Sequence, residues 1–492
     1  MSRVRSSQSP CAAPGARVAS FRVSQDVSSG IDEAREADPV RPDAGPSVLH
    51  DCADAEAYVA SVCFKHGPPR LIGVELEWLL HRRAVPDAAA DVAGPRVTGP
   101  RVTGPDVAGP DLDTLVAALG PHAPTTLDPG SPARPLPAGS TVTVEPGGQA
   151  ELASPPFPAL PALLRAIRTD SAALLGRLAA HGMAPHSRAA DSWRPPVRLL
   201  QAPRYRAMEQ SFDRIGPYGR SAMCSTAAVQ VCLDTGEGAD VARRWAAVHA
   251  VGPVLLAAFA NSPVMHGRRT GWKSSRWAAW QACDPARTGP PPLHDTDPDV
   301  DPAPGWARRV LASPLLCVRG ADVWTVPRGV TFGDWVNGAL PTPPTTADLD
   351  YHVSTLFPPV RPHGFLEIRY VDAQAGDGWA LPTAVLAAAL ADPATVDRVL
   401  ELCEPARGRW VSGARHGLED RVLARAAAGV FTLALERLPG LGAPDWVLDA
   451  LATTTERHVL RGLCPADDPA PGDRDAVTAP RLEPGIPEGE TE

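Results

Sequence analysis

Two short acidic segments place the tightest constraint on how this chain can fold. The first, Gly73–Trp78, sets Glu75 and Glu77 two residues apart among apolar residues, so the period of a β-strand turns both carboxylates to one face. The second, 143–151, predicts a strand, a Pro-Gly-Gly turn and a returning strand, which brings Glu145 and Glu151 close together. Four carboxylates are therefore expected to converge.

A convergent group of carboxylates indicates bound divalent cations. Packed carboxylates repel one another and raise one another's pKa, and a bound cation relieves that repulsion. Ligand sets made only of oxygen suit Mg²⁺ or Mn²⁺, and Mg²⁺ in turn suits phosphate chemistry. The alternative for a single Glu-x-Glu motif is a solvated strand face, because charged residues are mostly exposed. The second acidic segment and its hairpin favour the cation site.

A third segment, His363–Asp372, adds a fifth acid. Its alternation places Glu367 and Arg369 on one strand face and apolar residues on the other. A structural ion pair is the alternative to a functional role for these two side chains.

Three cations lie close to turn signals in 271–289. Lys273 and Arg276 follow a Gly-Trp pair, and Arg287 precedes Thr-Gly. Cations spaced in this way can clamp phosphates or carboxylates, and arginine does so with two prongs. A solvated basic loop is the alternative.

Composition narrows the class of partner. The net charge of -9 over 492 residues argues against a nucleic-acid binder and favours small-molecule partners. Nine scattered cysteines without a C-x-x-C pair predict neither disulfides nor a zinc site, so a reducing cytoplasm is expected. The apolar run Trp245–Met265 is interrupted by His249, Pro253 and Asn261, which indicates a buried helix and no membrane span.

The chain divides into one folded region with polar ends. Residues 1–47 and 465–492 are rich in Pro, Ser and charge, and both are predicted to be disordered tails around a catalytic domain at 48–464. Repeats of Val-Ala-Gly-Pro and Arg-Val-Thr-Gly-Pro make 84–111 a low-complexity insertion loop. Met223–Asp234 is expected to be a strand and Asp240–Asn261 a long helix.

Five motifs, read together, resemble a known family. They are GVELEW, TVEPGGQAELASPP, MCSTAAVQVCLD, GWKSSRWAAWQACDPARTG and HGFLEIRYVDAQAGDGWALP, in family order from about Leu71 to Pro382. They resemble the glutamate–cysteine ligases, specifically the actinobacterial branch that supplies γ-glutamylcysteine for ergothioneine biosynthesis. The resemblance implies an α+β fold in which a curved antiparallel sheet forms a funnel with outer helices, a carboxylate-amine ligase core like that of glutamine synthetase.

The resemblance also implies a reaction and its residues. ATP, as co-substrate, would phosphorylate the side-chain carboxylate of glutamate, and the amine of cysteine would then displace phosphate. By resemblance the ligands of Mg²⁺ (or Mn²⁺) are Glu75, Glu77, Glu145, Glu151 and Glu367. Arg369, with Glu75 and Glu145, is the implied catalytic set, and Lys273, Arg276, Arg287 and Gln230 are the implied ATP and substrate contacts.

Two other functions remain open from sequence. One keeps the ATP step but uses a different acceptor amine, because pocket shape is not legible in a sequence. The other is a non-catalytic binding protein on the same scaffold, which a missing acid would favour; none is missing. Cys224 and Cys232 flank Gln230 and are interpreted as small buried fillers in preference to a redox pair. Oligomeric state stays open.

Overall fold

The computed structural model describes residues 45–82, 108–320, 324–473 and 477–478. The predicted tail at 1–47 lies outside these ranges except for its last three residues, and the predicted insertion at 84–111 except for its last four. Of the predicted tail at 465–492, residues 465–473 and 477–478 are described.

A six-stranded sheet forms the centre of the molecule. Its strands lie in the order β3-β4-β1-β6-β10-β9, and every neighbouring pair is antiparallel. The strands of the described chain are β1 Ile72–Trp78, β2 Leu80–Arg82, β3 Thr141–Val144, β4 Ala150–Ala153, β5 Met183–Pro185, β6 Ala228–Leu233, β7 Val264–Met265, β8 Arg268–Arg269, β9 Val360–Pro362, β10 Leu366–Asp372 and β11 Val477–Thr478.

Helices cover the apolar face of this sheet. Val74, Val231 and Ile368 lie side by side on three neighbouring strands, and all three are fully buried in the main core. The helices are α1 Cys52–Cys63, α2 Leu112–Leu119, α3 Leu160–Ala180, α4 Pro203–Phe212, α5 Tyr218–Cys224, α6 Asp240–Ala250, α7 Gly252–Ala258, α8 Ser275–Cys283, α9 Pro285–Thr288, α10 Pro302–Ala312, α11 Phe332–Asp334, α12 Thr346–Val353, α13 Ala380–Ala389, α14 Pro393–Cys403, α15 Trp410–His416, α16 Arg421–Arg437 and α17 Asp445–Arg457. Of these, α3 contacts β1, α7 contacts β10 and α13 contacts β6. The predicted α+β class with an antiparallel sheet is therefore confirmed.

Two predicted elements are shorter than expected. Met223–Asp234 is a strand only over Ala228–Leu233, because Tyr218–Cys224 is helical. The predicted helix Asp240–Asn261 is broken between α6 and α7, where Pro253 follows Gly252. A Cβ at Gly252 would lie 2.1 Å from the ring of Trp410, so a glycine at this position lets α7 pack closely against that indole.

The predicted boundary of the C-terminal tail is wrong. Residues 465–473 include two short 3₁₀ turns, and Asp473 pairs with the buried Arg188. Arg188 also donates to the carbonyl oxygen of Pro465 at 2.7 Å and to that of Asp468. Composition predicted disorder from 465. It could not reveal the anchor of this segment, because Arg188 lies nearly 280 residues earlier in the chain.

Within the described residues, no single helix has both the length and the apolar character needed to cross a membrane. One bent pair, 376–389 with 393–406, satisfies length and composition alone, and its halves meet at 110°.

Candidate active site

The polar face of the sheet forms the floor of a cavity. This cavity encloses about 950 Å³, counting its open mouth, and residues of α4, α5 and α8 complete its walls. Its charged and amide lining residues are Glu75, Glu77, Glu145, Glu151, Glu367, Gln149, Gln230, Arg204, Arg361 and Arg369. Its aromatic lining residues include Tyr205, Trp280, Phe357, His363 and Phe365.

Strand register brings the acids together. Glu75 lies opposite Gln230 of β6, and Glu77 lies opposite Glu151 of β4. Directly opposed residues of an antiparallel pair point to the same face, so these side chains share the cavity side. Glu367 joins them from β10, where it lies opposite Cys232.

A braced turn carries the remaining acid. Glu145 follows β3 directly, and its backbone N–H donates to the carbonyl of Gln149 at 2.9 Å. The Gln149 amide donates to the carbonyls of Met223 (3.1 Å) and Thr226 (3.0 Å), which ties the turn to the end of α5. Gly147 is required here, because a Cβ would lie 2.2 Å from the carbonyl oxygen of Cys224.

Burial and mutual repulsion disfavour the charged form of three acids. Burial raises the pKa of Glu75 well above its usual range, and the charges of Glu151 and Glu367 add to the effect. The same causes, with Glu151 as the main neighbour, raise the pKa of Glu77 to about 7 and that of Glu145 well above its usual range. A cation at this end of the cavity would therefore relieve an existing cost.

Glu367 has the opposite environment. Burial raises its pKa, but Arg361 and Arg369 outweigh this and hold it at about 2. Arg361 forms a two-pronged pair with Glu367, with Nε to Oε2 at 2.6 Å and Nη2 to Oε1 at 2.8 Å. Arg369 donates to Glu367 and to the side-chain oxygen of Gln230. Gln230 in turn donates to Glu77 at 2.8 Å, so one network of hydrogen bonds links the cationic and acidic parts of the cavity.

The cavity's chemistry fits a magnesium-type ion, although its present geometry is not a coordination sphere. In the part of the chain that the structure describes, no three Asp, Glu, His or Cys side chains are arranged to hold one ion. Glu77 accepts bonds from Gln230 and from the Ala228 N–H, and Glu151 accepts one from Thr143. The available ligands are nevertheless carboxylate oxygens, the type that Mg²⁺ and Mn²⁺ prefer. Too little positive charge lies near these carboxylates to balance their negative charge.

The structure separates the sequence-predicted site residues into two groups. It brings Glu75, Glu77, Glu145, Glu151, Glu367, Gln230 and Arg369 to one cavity. It does not bring Lys273, Arg276 or Arg287 to the lining of that cavity.

Each of these three cations has another partner. Lys273 pairs with Glu419 at 2.9 Å and with Asp467. Arg287 is buried and donates to Asp284, to Thr355 and to the carbonyl of Pro314. Arg276 donates to the backbone of β10. The prediction that they clamp ATP phosphates therefore finds no support in this geometry, because sequence spacing does not reveal which partner a cation will meet in the fold.

Lys273 provides a direct check on this placement. We expect Lys273→Met to keep the turnover of the reaction that the motif resemblance implies, and its KM for ATP, within about twofold. Stability should fall by about 1 kcal/mol, because partly exposed ion pairs contribute little. Steady-state kinetics and thermal unfolding measure the two effects. A large rise in the KM for ATP would return Lys273 to the site.

Sequence reasoning missed two lining arginines. Arg361 lies opposite Glu367 across the short turn that joins β9 to β10, where Gly364 has a φ of +76°. The Gly in that turn was the available signal, because a hairpin there pairs residues six apart. Arg204 donates to Ser354 Oγ at 3.1 Å and to its carbonyl at 2.9 Å, and lies over the ring of Tyr351. Nothing local distinguishes Arg204 from a solvated helix residue.

The arrangement suits the handling of a polyanion. Arg204, Arg361 and Arg369 supply positive charge, and the acids supply oxygen ligands for cations that bridge phosphate oxygens. Phosphoryl transfer needs positioning and charge stabilisation more than covalent participation by the protein.

Comparison with known proteins identifies the family of this chain. Residues 71–469 match the model of glutamate-cysteine ligase family 2. The chain is 41% identical over 346 residues to glutamate–cysteine ligase EgtA of Mycobacterium tuberculosis, covering 68% of this chain and 77% of that protein. Identity to EgtA of Mycolicibacterium smegmatis is 40% over 339 residues, covering 68% and 78%.

A plant protein and a solved structure show weaker similarity to this chain. The chloroplastic glutamate–cysteine ligase of Medicago truncatula is 29% identical over 357 residues, covering 66% of each chain. A crystal structure of glutamate–cysteine ligase from Francisella tularensis in complex with AMP shares 12% identity at a TM-score of 0.46, covering 82% of this chain and 84% of that one. From the family match and the mycobacterial identities, the chain belongs to glutamate-cysteine ligase family 2 and is a ligase.

Proposed function

We propose that this ligase joins the side-chain carboxylate of L-glutamate to the amine of L-cysteine at the expense of ATP. A carboxylate oxygen attacks the γ-phosphorus and ADP leaves, which forms γ-glutamyl phosphate. The cysteine nitrogen then attacks the acyl carbon, phosphate leaves and the nitrogen loses a proton, giving γ-glutamylcysteine. The observation that carries this proposal is the convergence of five glutamates and three arginines in one cavity of a chain from this family.

The proposed ligands for Mg²⁺ or Mn²⁺ are Glu75, Glu77, Glu145, Glu151 and Glu367. When bound, the ions would neutralise charge on the ATP phosphates. The electrostatics of the acids support this role. Burial and mutual repulsion raise the pKa of Glu75, Glu77 and Glu145, and a bound cation would offset both effects.

The arginines have a separate proposed role. Arg369 lies against Gln230 and Glu367, which hold its planar group toward the cavity. There it would stabilise charge that develops on the transferred phosphoryl group. Arg204 also lines the cavity, and it donates to Ser354 and lies over the ring of Tyr351. Its planar guanidinium would serve a substrate carboxylate or phosphate.

A sheltered site also protects the intermediate. Acyl phosphates are lost to water, and the aromatic side chains of Trp280 and Phe357, whose rings lie 5.2 Å apart, shield one wall. We assign this chemistry to a single catalytic domain that begins at 48 and includes the anchored segment 465–473. Because the cytoplasm supplies ATP and reduced cysteine, we place the reaction there.

Ergothioneine biosynthesis is the proposed purpose of the product. The motif resemblance to the actinobacterial branch supports this, as does the 41% identity to a mycobacterial EgtA.

A substrate panel tests the function. Purified protein is supplied with ATP, Mg²⁺, glutamate and one amine at a time, and phosphate release is measured together with product mass. We expect release with cysteine and a product of the mass of γ-glutamylcysteine. Phosphate release with a different amine and not with cysteine would show that this amine is the acceptor. No phosphate release with any amine, from folded protein, would overturn the ligase proposal. Omission of glutamate is the control for uncoupled ATP hydrolysis.

A further inference from the structure

Strand β10 contains an irregularity beside the cavity. Ile368 lies opposite Val231 of β6, but Val371 lies opposite Val229, so Arg369 and Tyr370 together oppose the single residue Gln230. This two-against-one pairing is a β-bulge, which interrupts the ladder and re-aims side chains. Arg369 therefore faces the cavity from a segment that the sheet alone does not hold.

A buried arginine fastens this bulge from α8. Arg276 is 6% exposed, and its Nη2 donates to the carbonyl oxygen of Arg369 at 2.7 Å. On the other side, the N–H of Arg369 donates to the carbonyl of Pro359 at 2.9 Å. The backbone of Arg369 is thus held on both sides, by Pro359, the residue before β9, and by Arg276.

A polar network holds Arg276 in turn. Asp372 is fully buried, and its Oδ1 lies 3.7 Å from Nη1 of Arg276. The same carboxylate accepts bonds of 2.8 Å from Ser274 Oγ, from Ser262 Oγ and from the Asn261 N–H. Ser274 also caps the N-terminus of α8, which fixes the helix that carries Arg276.

We propose that Arg276 is a positioning residue that acts through Arg369, by holding the bulge of β10 so that the Arg369 side chain meets Gln230 and Glu367. This inference rests on the proposed role of Arg369. It replaces the direct contact with ATP that the sequence suggested for Arg276.

Loss of this contact has a defined consequence. Without Arg276, the carbonyl of Arg369 loses a charge-assisted bond in a buried setting, and the bulge can relax toward regular pairing. Regular pairing would set Arg369 opposite Gln230 and would shift Tyr370 and the residues after it by one position, which turns their side chains to the opposite face. Because the backbone of Arg369 would also lose one of its two anchors, its guanidinium would spend less time against Gln230 and Glu367.

The test uses Arg276→Gln and Arg276→Lys beside a matched control. Arg244 is another buried arginine that donates to backbone carbonyls, those of Leu390 and Asp234, and neither of these residues lines the cavity. We expect Arg276→Gln to lower kcat by about 10²-fold with the KM for ATP within about threefold, because a positioning residue does not bind the nucleotide. Arg244→Gln is expected to lower the unfolding temperature while kcat stays near that of the wild type.

A double-mutant cycle identifies the route of the effect. If Arg276 acts through Arg369, the double variant Arg276→Gln/Arg369→Lys loses no more activity than Arg369→Lys alone. The proposal would be overturned if the kcat losses of the two single variants multiply in the double variant. It would also be overturned if the KM for ATP rises tenfold or more in Arg276→Gln, because that result indicates direct contact with ATP.

A measurement independent of catalysis separates this inference from the proposed function. Hydrogen–deuterium exchange of 366–372 is expected to be faster in Arg276→Gln than in wild type, and unchanged in Arg244→Gln. If exchange is faster in Arg276→Gln but the wild-type protein ligates none of the amines, the structural inference is supported and the proposed function is overturned. Unchanged exchange would overturn the inference even in an active ligase.

Discussion

Glu75→Gln is expected to lower kcat by about 10³-fold or more while the protein keeps its fold. The substitution removes charge from the centre of the acid cluster without changing side-chain volume, and a cation held by the cluster depends on that charge. Glu145→Gln is expected to behave in the same way, because Glu145 is buried beside Glu151 and Glu77 in the same cluster. Steady-state kinetics with saturating ATP and glutamate measure the loss, and Glu401→Gln is the matched control, because Glu401 pairs with Arg398 on the surface.

The same variant makes an opposite prediction about stability. In metal-free protein, Glu75→Gln is expected to raise the unfolding temperature by a few degrees, because it removes repulsion among buried carboxylates. Added Mg²⁺ is expected to stabilise the wild type and to stabilise the variant much less. Near-normal kcat, or an undiminished Mg²⁺ shift, would contradict the metal assignment.

The pH dependence of the metal-free wild type has a definite sign. Glu77 has an ordinary pKa of 4.5, which its surroundings raise to about 7 in the folded protein. Its contribution to stability is therefore present below pH 4.5 and is lost as pH rises through about 7. Metal-free wild type should lose stability over this window, and Glu77→Gln should lose less.

Arg369→Lys is expected to lower kcat by about 10²-fold to 10³-fold. Arg369 donates to Gln230 and Glu367 through a planar group, and a lysine ammonium is a point charge that cannot keep both contacts while serving a phosphoryl group. Kinetics at saturating ATP measure the loss.

Arg398→Lys is the matched control, because Arg398 pairs with Glu401 at the exposed surface and does not line the cavity. It should leave kcat and unfolding temperature close to those of the wild type. Unchanged kinetics in folded Arg369→Lys would remove Arg369 from the mechanism.

Local periodicity was sufficient to predict the sheet residues of the site. In β1 and β10 the alternation of charged and apolar residues matches the pleat, so Glu75, Glu77 and Glu367 could be placed on a polar face in advance. The Pro-Gly-Gly turn likewise predicted that β3 and β4 pair, which they do with Thr143 opposite Glu151.

The cations show where this reasoning ends. Lys273, Arg276 and Arg287 share a suggestive segment, yet their partners are Asp467, the backbone of Arg369 and Thr355, which come from distant parts of the chain. Arg204 and Arg361 carry no local signal of comparable strength, and both line the cavity. A long side chain on a helix or an edge strand meets whatever the fold brings beside it.

By itself, the sequence determined which strands carry acids and that those acids share strand faces, because side-chain alternation is a property of neighbouring residues. Only the tertiary structure decided which arginines reach the acids, where the bulge of β10 falls and how residues 465–473 are anchored. These features depend on contacts between residues far apart in the chain, and such contacts leave no periodic pattern within any one segment.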